Sequence, residues 1–213
     1  WGGDATSRTW IVDGATLSST TNKEITATFP NAGKYTVTLV VTNATGKDSL
    51  TRKDYITVYP TNGVAAFTET MESPTFLTDK AWRVESGDAR VWERTTTAAY
   101  AGQASLYIKY FNTGVSGTTD AFYLPPVDLS KTAVASLKFK LAYARRNNTL
   151  IEKLSVAVSK DCGETFTNKY NKSGVSLATT DNSTTSFVPT SQMEWREETI
   201  SLANVVGVKN ALI

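Results

Sequence analysis

The chain has 213 residues, 40% of them hydrophobic, 10% aromatic and 20% charged, which is enough to bury a core in one large domain or two small ones. Its 22 basic and 20 acidic residues leave a net charge of +2, with Arg52-Lys53 and Arg145-Arg146 the only basic doublets, so neither a nucleic-acid surface nor an apolar membrane span is expected. The absence of histidine excludes Ser-His-Asp and Cys-His nucleophilic sites and HExxH zinc sites from this chain, and the single cysteine, Cys162, has no internal disulfide partner.

The first strand signal is Trp10-Ile11-Val12, closed by the turn pair Asp13-Gly14. A second spans Lys23 to Phe29, with Ile25, Ala27 and Phe29 on one face, and ends at Pro30-Asn31-Ala32-Gly33. From Tyr35 to Thr42 the alternation is strict: Tyr35, Val37, Leu39 and Val41 are expected inward, and mostly threonine outward. Asn43-Ala44-Thr45-Gly46 turns the chain, and Ser49 to Val58 returns it. Short strands at this spacing predict an immunoglobulin-like sandwich. Thr9-Trp10, the run Asn31 to Leu39, Val41-Thr42-Asn43 and Gly46 resemble the second half of a PKD domain, with Asp13-Gly14 in place of the family's Gly-Asp-Gly. The resemblance implies a module clipped at its N-terminus over residues 1–60, and places Tyr35 like the tyrosine of a tyrosine corner, though its expected part is that of a core anchor.

Residues 61–64 read as a linker, because Pro60 and Gly63 punctuate a stretch with strand-like flanks. A new β-rich series then covers 65–213. Its expected strands are Ala66 to Met71, Trp82 to Val84, Arg90 to Glu93, Ala104 to Tyr110, Asp120 to Leu124, Ala135 to Tyr143, a hairpin opened by Leu154 to Val158, and Glu194 to Leu202. No helical periodicity of useful length interrupts them. Successive strands joined by polar loops predict a jelly-roll β-sandwich, giving an all-β chain of two sandwiches.

The hairpin carries the most specific local pattern. Leu154, Val156 and Val158 alternate with Ser155, Ala157 and Ser159, and the turn follows. Asp161 is placed to accept backbone N–H bonds, Gly163 to take a positive φ, Ser159 and Thr165 to close the network, and Phe166 to start the return strand. Ser159-x-Asp161-x-Gly163-x-Thr165-Phe166 resembles the Asp-box, a hairpin motif of sialidases and many secreted proteins. That resemblance implies a folding device and not a catalytic centre. Sialidases repeat the motif over several propeller blades, and one copy is present here.

Phe67 to Ser73, Trp82-Arg83-Val84, Asp120, Leu124 to Leu129, Leu137-Lys138-Phe139, Glu152 to Ser159 with Asp161-Cys162-Gly163, and Trp195 together resemble the MAM-like or cleaved-adhesin-like jelly-roll domains of secreted Bacteroidetes-type proteins. A PKD module followed by such a domain resembles the region after the catalytic domain of pappalysin-type zinc metalloproteases. The resemblance implies a secreted or cell-surface, non-catalytic accessory region, clipped also at its C-terminus, with a protein substrate or extracellular matrix as partner. A carbohydrate-binding module or adhesin is the alternative. Two readings of the chain's acidic residues stand: carboxylates that are simply solvated, or a structural calcium site of the kind similar jelly-rolls keep, for which Glu72 and Asp120 match the acidic positions best, ahead of Glu69 and Asp88. Among the aromatics, Trp92 beside Glu93 and Arg94 is the candidate for ligand contact, glycan included. Glu197 and Glu198 are adjacent, so a strand points them to opposite faces and denies them the paired geometry of glycoside hydrolysis.

Overall fold

A computed structural model describes residues 5–61, 63–64, 67–75, 77, 82–112 and 116–213. Ala66, the expected start of the first strand of the second series, and Asn62 of the linker lie outside them. The chain is all-β apart from single helical turns, and it divides into two units, residues 1–61 and 62–213.

The first unit is built on β1 (Ser7–Ile11), β4 (Gly33–Asn43) and β5 (Gly46–Val58), an antiparallel three-stranded sheet with β4 in the middle. A two-residue ladder of β2 (Thr16–Leu17) and β3 (Ala27–Thr28) accompanies it. The strand expected over Lys23 to Phe29 is therefore only its last part. It is preceded by a polar turn in which Ser19 Oγ accepts from the N–H groups of Thr21 and Asn22. The alternation expected in β4 does not divide it into one buried and one solvated face: most of its residues are half-buried on both sides.

Two details fix the register of this sheet. Between Tyr35 and Val37 of β4 the partner residues jump from Ile56 to Arg52, a bulge in which Asp54 takes a φ of 50° and donates its N–H to Thr36 Oγ1. At the entry to β4, Tyr35 is buried against Phe29, and its hydroxyl donates to the Asn31 carbonyl at 2.6 Å, four residues back. That bond makes a tyrosine corner. Tyr35→Phe is expected to lower the unfolding free energy by about 1 kcal/mol, the worth of one such hydrogen bond. Urea denaturation followed by the indole N–H proton resonance of Trp10 checks it, and an unchanged midpoint would show that the ring alone carries the corner.

The second unit is a set of antiparallel strand pairs. These are β6 (Arg83–Glu85) with β9 (Ala121–Tyr123), β7 (Glu93–Thr95) with β8 (Ser105–Tyr107), β10 (Ser136–Leu141) with β13 (Arg196–Ser201), and β11 (Lys153–Val158) with β12 (Thr167–Ser173). The one-turn helix α1 (Gly174–Leu177) follows β12 directly. Most strands are shorter than the apolar runs suggested. The expected strand Arg90 to Glu93 is displaced to Glu93–Thr95, because Arg90 and Trp92 turn their polar atoms to Asp88 and Asp120 and leave the ladder.

The core of this unit gathers Val127, Leu129, Val158, Leu202, Val205, Ala211 and Ile213. The segment Ala211-Leu212-Ile213 is buried throughout, 0%, 2% and 7% exposed. This segment pairs with two parts of the unit at once. Ala211 exchanges backbone bonds with Val127, Leu212 exchanges them with Ser159, and the Ile213 carbonyl accepts from Leu124. Ala211 and Ile213 face the core cluster, while Leu212, on the opposite face as strand alternation requires, lies under the turn that joins β11 to β12.

Candidate functional site

The turn between β11 and β12 forms a closed hydrogen-bond network. Ser159 Oγ donates to Asp161 Oδ1 at 2.7 Å and accepts from the N–H groups of Gly163 at 2.8 Å and Asp161 at 3.3 Å. Asp161 Oδ1 accepts from Thr165 N at 2.9 Å, and its Oδ2 accepts from the Thr165 hydroxyl. Gly163 has a φ of 90° and Cys162 one of 59°, so two successive residues hold left-handed backbone, the second of them a glycine. The cysteine's contribution to the reversal was not legible in the sequence. Phe166 does not bury its ring as the start of the return strand; it stays 41% exposed, edge-on to Tyr123 at 5.9 Å. The side-chain oxygens of Ser159 and Asp161 are thus engaged within the turn itself, which suits a pin.

The hydroxyls of Thr165 and Ser159 hold the Asp161 carboxyl down, from the usual 3.8 to about 2. Its folded value lies below its unfolded one, so the stabilisation is present above about pH 4 and is lost as pH falls towards 2. Asp161→Asn is expected to flatten that part of the curve of urea midpoint against pH. An acid limb as steep as in the unsubstituted chain would mean that other carboxylates govern it.

The candidate calcium ligands serve two separate clusters. Glu72 Oε1 accepts from the N–H groups of Gln103 at 2.8 Å and Ala104 at 3.2 Å, tying residues 71–72 to the entry of β8. Arg94 reinforces the tie by donating to the carbonyls of Met71 and Glu72. Glu69 is engaged locally, with Oε1 accepting from Met71 N.

Asp120 belongs to the other cluster, together with Asp88. Its Oδ1 accepts from Gly87 N at 3.0 Å and from Ser86 Oγ at 3.1 Å, and its Oδ2 lies 3.8 Å from Arg90 Nε. Arg90 also pairs with Asp88, whose carboxyl its guanidinium holds down to about 2. Gly87 allows the two segments to meet, since a Cβ there would sit 2.8 Å from the Thr119 carbonyl oxygen. Calcium takes six to eight oxygens around a bare cation. A carboxylate satisfied by backbone amides and another standing beside a guanidinium do not fit that demand, and among the described residues no three acidic or sulfur side chains converge as a metal group.

Trp92 lies beside the same cluster, donating its indole N–H to the Asp120 carbonyl at 3.1 Å and packing edge-on to Phe122 at 5.1 Å. Phe122 in turn stacks on the buried Trp82. The half-buried Trp92 thus closes an aromatic row. The more exposed ring nearby is Tyr107 on β8. With Arg90, Val91, Glu93 and Lys109 it lines an open depression of about 180 Å³, and its hydroxyl donates to Glu93 at 3.2 Å.

Glu197 and Glu198 point to opposite faces of β13. Glu197 pairs with Lys140 across the ladder at 2.9 Å, in the open. Glu198 is buried and accepts from Lys172 Nζ at 2.9 and 2.8 Å and from Arg196 Nε at 2.8 Å. Burial works to raise the Glu198 carboxyl, and the bonds from Lys172 and Arg196 outweigh it, leaving the group below the usual carboxylate range. Arg196 also donates to the carbonyls of Ser176, Leu177 and Ala178 at the end of α1. One carboxylate and two cations therefore link β12, β13 and α1. In the sequence Lys172 and Arg196 are unremarkable charges, and only their meeting at Glu198 reveals the role.

No helix among the described residues is long and apolar enough to cross a membrane. Neither the curated proteins nor the solved structures hold a match to the chain. Residues 2–58, which include the β1-β4-β5 sheet and its tyrosine corner, match the PKD domain, a non-catalytic module found in extracellular proteins.

Proposed function

We propose that the chain is a non-catalytic accessory region of a secreted or cell-surface bacterial protein. In this reading a PKD module is followed by a jelly-roll-type sandwich. The pair spaces and positions a catalytic domain and contacts its protein substrate or the extracellular matrix. The parent is a zinc metalloprotease, whose metal ligands come from elsewhere in that protein because this chain has no histidine. The observation that carries the reading is the PKD match over residues 2–58. The ionic chemistry of the second unit supports it: Asp88, Asp161, Glu197 and Glu198 are each held by partners from their own chain.

A second reading, carbohydrate binding, is favoured by the exposed Tyr107 ring above Glu93 and Lys109. Sugar recognition uses such an aromatic face flanked by polar groups. Purified chain is expected to turn over neither peptide nor glycoside substrates and to bind immobilised gelatin saturably, with tryptophan emission unmoved by soluble glycans. Turnover would overturn the non-catalytic reading. A saturable glycan response that disappears in Tyr107→Ala, with no binding to gelatin, would replace it by the second.

A further inference from the structure

The turn before β7 and the segment before β9 enclose an oxygen-rich knot. Two carboxylates, Asp88 and Asp120, the hydroxyls of Ser86 and Thr118, and the carbonyls of Asp88 and Arg90 that stand against Ser86 Oγ all belong to it. The side chains of Asp120 and Asp88 are 0% and 15% exposed. Groups of this kind, buried together, repel one another unless a cation stands among them.

In this chain the cation is a side chain. Arg90 Nε donates to Asp88 Oδ1 at 3.0 Å and stands 3.8 Å from Asp120 Oδ2. Its Nη2 pairs with Asp88 Oδ2 and donates to Thr118 Oγ1 at 2.6 Å. The guanidinium carbon lies 4.7 Å from the centre of the Tyr110 ring, so an aromatic face completes its surroundings.

We propose that Arg90 is the resident cation of this knot, performing within the chain the neutralising and cross-linking task that a divalent metal performs in an acidic loop, so that the second unit folds without metal. The planar fork of a guanidinium bonds the Asp88 carboxylate and the Thr118 hydroxyl in fixed directions, and its charge faces Asp120 and keeps a second cation away. The knot joins the turn at residues 86–90, which follows β6, to the segment 118–120, which leads into its partner β9.

Thermal unfolding of the chain in calcium and in chelator, with three variants, tests this. The unsubstituted chain is expected to melt at the same temperature in both. A calcium-dependent rise of about 5–10 °C, the size expected from a site held at a hundred times its dissociation constant, would overturn the proposal. Arg90→Met is expected to melt lower and to gain terbium luminescence sensitised by Tyr110 and Trp92, while Arg90→Lys retains part of the stability. Arg90→Met with Asp88→Asn is expected to recover stability relative to Arg90→Met alone, because it removes the carboxylate that Arg90 bonds together with its partner. Should Arg90→Met fail to fold, the double variant and the calcium comparison still decide. Equal terbium luminescence in Arg90→Met and the unsubstituted chain, or a double variant no more stable than Arg90→Met, would also overturn it.

Discussion

Replacing Leu212 with aspartate is expected to unfold the second unit. Leu212 is 2% exposed, and its backbone is paired with Ser159, so the segment cannot swing out to hydrate a charge without giving up both bonds. The side chain lies under the β11-β12 turn, with its Cδ1 3.4 Å from where a Cβ on Gly163 would be. An isolated carboxylate in that position either stays charged against an apolar wall or takes up a proton, and each route is costly. The loss should exceed about 4 kcal/mol, a large share of the 5–15 kcal/mol that holds a typical domain together. Leu212→Met, which keeps the volume, should cost less than about 1.5 kcal/mol, and Leu212→Ala about 2–5 kcal/mol. Urea unfolding followed by tryptophan emission and circular dichroism ranks the three. A folded aspartate variant with an unchanged midpoint would mean that the segment is not integral to the core.

Glu198→Ala is expected to have the second largest effect. It strands Lys172 and Arg196, which the carboxylate holds together across β12 and β13. Breaking a fully buried pair costs about 3–5 kcal/mol. Here the side chains of Lys172 and Arg196 are 34% and 36% exposed and can recover water, so about 2–3 kcal/mol is the better expectation. For a unit of this size that corresponds to a fall in melting temperature of roughly 5–10 °C. Glu198→Gln, which keeps an acceptor for both cations, should fall between. The Glu198 carboxyl is lowered in the folded state, so its contribution is present above its usual 4.5 and fades as pH drops below it. The difference between Glu198→Ala and the unsubstituted chain should therefore shrink in acid. A difference independent of pH would assign the loss to packing instead of charge.

The features legible in the sequence were those set by neighbouring residues. The Ser159 to Thr165 network closes over seven residues, so residue types and spacing were enough to foresee a pin there. The opposite facing of Glu197 and Glu198 follows from strand geometry alone, and Tyr35 needed only the carbonyl four residues back. Strand lengths were less legible. An apolar run shows that a ladder is favourable and does not show where local polar bonds win. Arg90 illustrates this, being captured by a carboxylate two residues away in what alternation read as a strand.

The candidate ligand residues mark the same limit. Glu72, Asp120 and Trp92 stood out as residue types, but a carboxylate is a metal ligand only if its oxygens stay uncommitted, and an indole is a platform only if its face stays open. Those conditions depend on Gln103, Arg90 and Phe122, which lie 31, 30 and 30 residues from them along the chain.

By itself the sequence determined the all-β class, the lack of any imidazole and the turn of the β11-β12 hairpin, because each depends on composition or on contacts within a few residues. Tertiary structure alone decided that Ala211-Leu212-Ile213 is buried in the second unit and that Glu198 holds two cations. It also decided that Arg90 stands between Asp88 and Asp120. The reason is physical: burial and charge pairing are properties of the space between strands, and residues far apart in the chain come to share that space only when the sheets close.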